Sequence, residues 1–201
     1  MDFPALAARH VAGAKLFTDR EELVAALPVE AGAMIAEVGV ALGEFSEFLL
    51  TQLEPKRFVA IDIFNLHQAP SLWGKDTRQM LNGLNHLDFY ERRFAARGDQ
   101  VAVERGLSHE MLAKYPDQSF DLIYIDAGHD YHSVNRDARL AMDKVKQGGF
   151  LVFNDYIMYD HLVGVPYGVV QVVNQIIVEN DLCVWGLALQ HHLFCDIAFR
   201  R

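Results

Sequence analysis

Two short segments place oxygen-bearing side chains near a histidine. In "IDAGHDY", His129 follows Asp126 by three residues, and "FNDY" carries Asn154 and Asp155. Carboxylate and amide oxygens are hard ligands that suit Mg²⁺ or Ca²⁺. We therefore predict a divalent metal at Asp126, Asn154 and Asp155, where it would bind two substrate hydroxyls and lower the pKa of one of them. The alternative is structural, because an aspartate after a strand often caps the next element, as Asp130 is placed to do.

A second segment, "IAEVGVALGEF", leads from an apolar run through two glycines into a helical pattern. The dinucleotide fingerprint G-x-G-x-x-G fails here, because Ala41 and Glu44 occupy its second and third glycine positions. The spacing that fits is E-x-G-x-x-x-G, formed by Glu37, Gly39 and Gly43. An acid at the end of a strand favours a positively charged ligand over a diphosphate.

A further acid, Asp62, ends the apolar run "RFVAID" and lies 25 residues after Glu37. Sites of open α/β sheets place at this point a carboxylate that accepts hydrogen bonds from ribose hydroxyls. Together the glycine turn and Asp62 predict a ligand that carries a cation and a ribose.

A sheet must position these side chains, because each follows an apolar run typical of a strand buried on both faces. Seven such runs alternate with helical patterns, which predicts a Rossmann-like, doubly wound α/β fold with helices on both faces of the sheet. The last two runs, "DLCVWGLALQ" and "HLFCDIAFRR", adjoin. They must pair antiparallel, since parallel neighbours need a crossover of about a dozen residues or more. We therefore predict a mostly parallel, seven-stranded sheet that ends in an antiparallel pair.

Residues 1–201 are predicted to form one domain with two additions to the sheet. Residues 1–30 are predicted to form one or two helices, with Asp19 as an N-cap, that cover the active site or mediate a homodimer. Residues 65–98 are predicted to form a loop and then a helix from about Lys75 to Arg97, over the carboxyl edge of the sheet. Two groups of residues are candidates to line an acceptor pocket: aromatic residues of this insertion (Trp73, His86, Phe89, Tyr90) and residues of the loop 157–168 (Tyr159, His161, Tyr167).

Composition narrows the class of protein. The net charge of −9 argues against a non-specific nucleic-acid binder, which needs clustered Lys and Arg. Cys183 and Cys195 lie in apolar contexts and are predicted to be buried thiols, without a disulfide framework. The N-terminus lacks the apolar stretch of a signal peptide, and no run reaches the ~18 apolar residues of a membrane span. We expect a cytoplasmic protein with no membrane or nucleic-acid partner.

With these motifs in place, the chain resembles the class I S-adenosylmethionine-dependent methyltransferases over roughly residues 35–201. "AEVGVALGEFS" is similar to their first motif, "FVAIDIF" to their second, and the segment 120–156 to the region of their fourth and fifth strands. The D-x-x-H spacing of Asp126 and His129 resembles the metal-dependent O-methyltransferases that act on catechols and macrolide sugars. Ala41 departs from the commoner family pattern, which has a third glycine there.

The resemblance implies S-adenosylmethionine as the cofactor. It would place Glu37 near the cationic end of the cofactor, the two glycines against its methionine part, and Asp62 at the ribose. The implied cofactor-binding residues are Glu37, Gly39, Gly43, Asp62, Ile63 or Phe64 on the adenine, Gly106, Ser108 and Asp126. Ser108 has a second interpretation as the N-cap of the helix "SHEMLAKY".

The resemblance also implies that His129 is the general base, with Asp126 beside it, a role that suits the ordinary pKa of histidine. We expect in-line transfer of a methyl group to a small-molecule hydroxyl, activated by His129, a divalent metal such as Mg²⁺, or both. Nitrogen or carbon acceptors stay open if no metal binds. Two further hypotheses are a non-catalytic S-adenosylmethionine-binding protein and a nucleotide-dependent oxidoreductase with a degenerate glycine turn.

Overall fold

An eight-stranded sheet forms the centre of the molecule in a computed structural model that describes residues 4–201. The strands in this part of the chain are β1 (Lys15–Phe17), β2 (Met34–Val38), β3 (Arg57–Asp62), β4 (Ser71–Leu72), β5 (Lys75–Asp76), β6 (Val101–Arg105), β7 (Phe120–Ile125), β8 (Val145–Phe153), β9 (Tyr159–Asp160), β10 (Val165–Pro166), β11 (Val184–Leu189) and β12 (Cys195–Arg200). The helices are α1 (Ala8–Val11), α2 (Arg20–Ala25), α3 (Glu44–Leu53), α4 (Thr77–Met80), α5 (His86–Phe94), α6 (Ser108–Ala113), α7 (Tyr131–Lys144) and α8 (Val169–Glu179). Short 3-10 helices span Leu66–Gln68, Ala95–Gln100 and His191–Leu193.

The large sheet has the strand order β1-β11-β12-β8-β7-β2-β3-β6. Its neighbouring strands are parallel except at β12, which is antiparallel to both β11 and β8. The predicted fold class and the antiparallel pairing of the last two strands are therefore confirmed. The predicted end of the sheet is wrong, because β1 pairs with β11 and forms an eighth, outermost strand. A three-residue strand is too short to produce a periodic pattern in the sequence.

Alternation along the central strands explains the helices on both faces. In β2, Ile35 packs into one hydrophobic cluster, whereas Ala36 and Val38 pack into the other, on the opposite face. Ile35, Ala36 and Val38 are at most 1% exposed. A strand buried on both faces therefore reads as a continuous apolar run.

The register of the parallel strands brings the predicted site residues to one edge. Val38 pairs with Ile61 and Ile125, and Ile125 pairs with Phe153, so these four strands end side by side. The residue that follows in each strand lies at the carboxyl edge of the sheet, where open α/β sheets bind ligands. These residues are Gly39, Asp62, Asp126 and Asn154.

Each of the two predicted additions to the sheet consists of shorter helices and strands than expected. The N-terminal segment forms α1, β1 and α2, and Asp19 caps α2 by accepting from the Glu22 backbone N–H at 2.7 Å. Residues 1–3 of the predicted extension lie outside the described residues. The single helix predicted from about Lys75 to Arg97 is wrong: Asn82 and Gly83 have φ values of 53° and 77°, which end α4 before α5 begins.

Neither cysteine is the buried thiol that its apolar neighbours predicted. Cys183 is exposed and Cys195 is intermediate, because Cys183 precedes β11 and Cys195 is the first residue of β12, outside the buried middle of either strand. No helix among residues 4–201 combines the length and the apolar character needed to cross a bilayer.

Candidate active site

Two adjoining cavities lie at the carboxyl edge of the sheet. The smaller cavity, about 410 Å³, is lined by residues that follow β3, β6 and β7, including Asp62, Gly106 and Ser108. The larger cavity, about 1310 Å³, contains Glu37 and His129 in its lining. Both linings include Gly39, Ala41 and Asp126, so the two cavities meet at the glycine turn. An elongated ligand can therefore extend from one cavity into the other.

The glycine turn is held in a conformation that its residues do not favour equally. A Cβ atom at Gly39 would lie 2.0 Å from the carbonyl oxygen of Asp126, so only glycine fits there. Ala41 has a φ of 44°, in the left-handed region that non-glycine residues rarely adopt. The buried His86 on α5 holds it, because its Nε2 donates to the Ala41 carbonyl at 2.6 Å. The insertion thus supports the residue that departs from the family pattern.

Gly43 has a different task from the one that the family resemblance implies. It has a φ of 84° and precedes α3, and a Cβ there would lie 2.8 Å from the ring of Phe94. Gly43 is absent from both cavity linings within the described chain. The glycine lets α5 pack closely against the turn, so its contact with a cofactor stays a prediction that the geometry does not support.

Asp62 ties the smaller cavity together. Its carboxylate accepts from the backbone N–H of Val40 at 3.0 Å and from that of Phe64 at 2.7 Å. Of the two adenine candidates, Ile63 lines the cavity and is 44% exposed, whereas Phe64 is fully buried in the core. Asp62 and Ile63 therefore line the smaller cavity, as the prediction of a ribose and adenine site requires, whereas Phe64 does not.

Ser108 and Gly106 also line the smaller cavity. The interpretation of Ser108 as an N-cap is wrong, since the N-cap of α6 is Leu107. The Ser108 hydroxyl instead donates to Asp137 Oδ2 on α7 at 2.7 Å. The other carboxyl oxygen of Asp137 is buried and has no hydrogen-bond partner among the described residues, so the lining of this cavity retains an unused acceptor.

Glu37 is the most deeply buried acid of the larger cavity, at 1% exposure. Its carboxyl accepts from the Ser46 hydroxyl, which in turn accepts from the Tyr90 hydroxyl at 2.9 Å. Burial raises the pKa of Glu37 to about 8, although the hydrogen bond from Ser46 and the charge of Arg20 lower it. A positively charged ligand would favour the ionised carboxylate.

Arg20, on the first turn of α2, is a site residue that the sequence analysis missed. Its Nη1 lies 3.7 Å from Asp126 Oδ2, and its guanidinium lies 4.2 Å from the centre of the Phe45 ring. Burial alone would lower the pKa of Arg20, but Tyr124, Asp126 and Asp196 raise it above its ordinary value. No motif pointed to Arg20, and only the Asp19 cap could have placed it at the start of a helix.

His129 lies between two carboxylates in the larger cavity. Its Nε2 is 3.6 Å from Asp126 Oδ1 and 3.5 Å from Asp155 Oδ2, and it is buried without a hydrogen-bond partner among residues 4–201. Burial lowers the pKa of His129, although a hydrogen bond with Asn154 and the charge of Asp160 act in the opposite direction, and the lower pKa favours the neutral imidazole. Burial and the charge of Asp160 raise the pKa of Asp155 to about 6, and burial raises that of Asp126 well above its ordinary value. A neutral imidazole beside acids is suited to accept a proton.

The loop that follows β8 positions the His129 ring. Tyr167 stacks on it with the ring centres 4.5 Å apart and the planes within 12°, and the Tyr167 hydroxyl donates to Asp160 at 3.0 Å. Of the residues predicted to line a pocket from this loop, Tyr167 lines the larger cavity, whereas Tyr159 and His161 do not. From the insertion, Trp73 lines it too.

The predicted metal ligands lie close together but have other partners. The Asn154 amide donates to Asp196 Oδ1 at 3.0 Å, and Asp126 faces the guanidinium of Arg20. Among residues 4–201, no three His, Cys, Asp or Glu side chains are arranged to hold a metal ion. The donor set therefore does not fit a divalent ion as it stands, and the metal at Asp126, Asn154 and Asp155 remains a prediction.

Comparison with models of protein families shows which family the chain belongs to. A methyltransferase-domain family model matches residues 36–156 of the 201-residue chain, from β2 to just beyond β8. The chain therefore belongs to this methyltransferase family, and the predicted enzyme class, an S-adenosylmethionine-dependent methyltransferase, is confirmed at that level. No curated protein sequence matches the chain.

Solved structures share the fold at low sequence identity. An S-adenosylmethionine-dependent methyltransferase from Aquifex aeolicus is 15% identical with a TM-score of 0.58, over 91% of this chain and 89% of that one. An O-methyltransferase from Bacillus cereus, solved with S-adenosylhomocysteine, is 18% identical with a TM-score of 0.61, over 90% of this chain and 78% of that one. At these identities the likeness supports the fold alone.

Proposed function

We propose that the enzyme methylates a hydroxyl group of a small molecule, with His129 as the general base. The observation that carries the proposal is the Nε2 of His129, which is buried without a hydrogen-bond partner in the described part of the chain and lies in the larger cavity beside Asp126, where the two cavities meet. When bound, S-adenosylmethionine supplies an electrophilic methyl group on a positively charged sulfur and leaves as S-adenosylhomocysteine.

The chain offers a partner for each part of this cofactor. Asp62 would accept from the ribose hydroxyls in the smaller cavity, with Ile63 against the adenine and Gly106 and Ser108 at its edge. Glu37 would pair with the ammonium group of the methionine part. Arg20 lines the larger cavity together with Glu37 and would pair with the carboxylate of the methionine part. The residues present therefore fit the group.

The role of His129 follows from its surroundings. The neutral imidazole accepts the proton of the acceptor hydroxyl, which leaves the oxygen able to form the new O–CH₃ bond as the S–CH₃ bond breaks. Asp155, with a pKa of about 6, is ionised at neutral pH and stabilises the imidazolium that results. Holding the two reactants in line supplies a large share of the rate, on the order of 7 kcal/mol or more.

The test combines binding with transfer. Isothermal titration with S-adenosylmethionine is expected to give saturable heat, and labelled methyl transfer is expected to hydroxyl compounds in a panel where each is paired with its amine counterpart. Transfer only to the amines would contradict a hydroxyl acceptor. Binding without transfer to any acceptor would instead favour the non-catalytic binding protein.

The same assays examine the rival hypotheses. Titration of Mg²⁺ into chelator-treated enzyme measures whether transfer requires a metal, which Asp126, Asn154 and Asp155 would have to bind. A change in nicotinamide absorbance would favour the oxidoreductase. The expectation of a small-molecule acceptor, and not a nucleic acid, is supported by the acids in the larger cavity, which disfavour phosphate groups.

A further inference from the structure

The mouth of the larger cavity carries large apolar side chains that the proposed transfer chemistry does not use. Five lining residues are both large and apolar and between 52% and 81% exposed: Trp73, Leu162, Val163, Leu189 and Leu193. We call these five residues the apolar rim. They come from the insertion, the β9–β10 hairpin and the end of β11 with its connection to β12, which are far apart in the sequence. Scattered exposed apolar residues are ordinary, but a group that surrounds one opening marks a binding surface.

The size of the larger cavity indicates how large an acceptor it can hold. Pockets for drug-sized ligands measure roughly 300–1,000 Å³. The larger cavity, at about 1310 Å³, needs to hold only the methionine part of the cofactor and the acceptor, because the smaller cavity takes the nucleoside. The larger cavity therefore has room for an acceptor larger than a bare sugar or a single phenol ring.

The charges of the larger cavity restrict the acceptor further. Among the described residues that line it, seven are Asp or Glu, one is Arg20 and none is lysine. Arg20 already faces Asp126 and, in the proposed function, the cofactor carboxylate. An anionic acceptor would enter against these carboxylates without a free cation to pair with.

We infer that the acceptor is an amphipathic, non-anionic small molecule whose reacting hydroxyl reaches His129 while an apolar body rests on the apolar rim. This inference rests on the proposed function for the identity of the reacting end. A second copy of the chain is the rival occupant of the rim. It would cover the opening through which an acceptor has to reach His129, and the rim would then be a dimer interface.

The experiment uses two fluorescent probes with the same ring system, uncharged N-phenylnaphthylamine and its anionic relative anilinonaphthalene sulfonate. Both are titrated into the full chain saturated with S-adenosylhomocysteine. The uncharged probe is expected to bind at one site, at least tenfold more tightly than the sulfonate. Trp73→Ser, Leu162→Ser and Leu193→Ser are each expected to weaken its binding by about fivefold or more.

Matched controls are available on the same surface. Met158 precedes the same hairpin and is 59% exposed, close to the 63% of Leu162, but it does not line the cavity. Leu16 on β1 is a second exposed control. Met158→Ser and Leu16→Ser are expected to bind the probe as the unmodified chain does. Exposed positions tolerate serine, and equal melting temperatures would confirm that every variant is folded.

Three results would overturn the inference. If the rim variants bound the uncharged probe normally, the inference that an apolar body rests on the rim would be wrong. If the sulfonate bound as tightly as the uncharged probe, the inference that the acceptor is non-anionic would be wrong. Sedimentation that shows a dimer dissociated by Leu162→Ser or Leu193→Ser, but not by Met158→Ser, would assign the rim to a second copy. The proposed function fails separately: calorimetry with S-adenosylhomocysteine would then show no heat, whatever the rim binds.

Discussion

The two cavities beside the glycine turn are built from different parts of the chain. Strand ends and the turns that directly follow them form most of the smaller cavity, so the register of the sheet places Asp62 and Gly106 there. In the larger cavity, the glycine turn and the residues that follow β7 and β8 provide only part of the lining, and the rest comes from α2, the insertion, the β9–β10 hairpin and the connection before β12. The smaller cavity thus follows from the sheet, whereas the larger cavity depends on segments added to it.

The cavities also differ in how they hold charge. In the smaller cavity, Asp62 accepts from the backbone N–H groups of Val40 and Phe64, which fix the orientation of its side chain. In the larger cavity, burial raises the pKa of Glu37 to about 8 and that of Asp155 to about 6. The smaller cavity is therefore suited to fixed hydrogen bonding and the larger one to proton transfer and cation binding. Each prediction below changes one cavity and measures whether the other responds.

The largest expected effect lies in the larger cavity. His129→Ala is expected to lower kcat by about a thousandfold, because positioned general bases contribute roughly 10²–10⁴ in rate, and to leave cofactor affinity unchanged. Burial lowers the pKa of His129 from 6.5, so the unmodified enzyme should keep its rate at pH 7 and lose it only below pH 6.5. The variant should lack this acidic limb. His132→Ala, an exposed histidine on α7, is the control. An unchanged pH–rate profile in His129→Ala would remove the base assignment.

The next effect belongs to the smaller cavity. Asp62→Ala is expected to weaken cofactor binding by tenfold to a hundredfold, since it removes the ribose partner and frees the Val40 and Phe64 amides. With saturating cofactor, kcat should be close to normal because His129 is untouched. Calorimetry and initial rates measure the two effects, and Asp99→Ala, an exposed aspartate outside both cavities, is the control. A fall in kcat with unchanged affinity would contradict the separation of the cavities.

The smaller cavity was largely predictable from the sequence, because it is built from strand ends and the turns that directly follow them. Gly39, Asp62 and Asp126 line it and lie at the end of apolar strands or directly after them, so local spacing together with the parallel pairing of the strands predicts that they meet. Gly43 has suitable spacing, yet its Cα faces Phe94, because the packing of α5 decides what approaches that glycine. Spacing identifies which edge a residue reaches, but not which neighbour fills the space beside it.

The walls of the larger cavity depend on contacts between distant segments. Arg20 reaches Asp126 across more than a hundred positions, and β1, which precedes it, is a three-residue strand that pairs with β11 near the other end of the chain. Neither contact leaves a periodic signal. The apolar rim is hidden in the same way, because isolated Leu and Val residues in loops are ordinary until the fold places them around one opening.

A smaller effect is expected where the cavities meet. Arg20→Met should weaken the binding of S-adenosylhomocysteine by about tenfold, because the carboxylate of the ligand loses its partner. This is the range expected for a hydrogen bond to a charged group after allowance for partial exposure. Binding of 5′-methylthioadenosine, which lacks the amino-acid part, should be unchanged. Arg20→Lys keeps the charge and should recover part of the affinity. Equal weakening of both ligands would mean that Arg20 only supports the fold.

The smallest effect has opposite signs for stability and binding. Folding raises the pKa of Glu37 from 4.5 to about 8, so the folded state holds that proton more tightly and the free energy of unfolding falls as pH rises between these values. Glu37→Gln removes this loss and should raise the melting temperature of the ligand-free chain by several degrees above pH 8, since 1 kcal/mol corresponds to about 2–4 °C at this size. Asp155 and Asp196 still titrate in the variant, with pKa values of about 6 and 7, so the comparison is the difference between the two chains.

Glu37→Gln should also weaken the binding of the cofactor, because glutamine cannot neutralise an ammonium group. Binding to the unmodified chain at pH 7 is expected to release a proton from Glu37, which calorimetry detects as a heat that changes with the ionisation enthalpy of the buffer. Glu37→Gln should show a smaller buffer dependence. If the variant were more stable but bound S-adenosylmethionine with the same affinity and the same proton release, Glu37 would be a buried core acid, and the cation would have to be recognised elsewhere in the larger cavity.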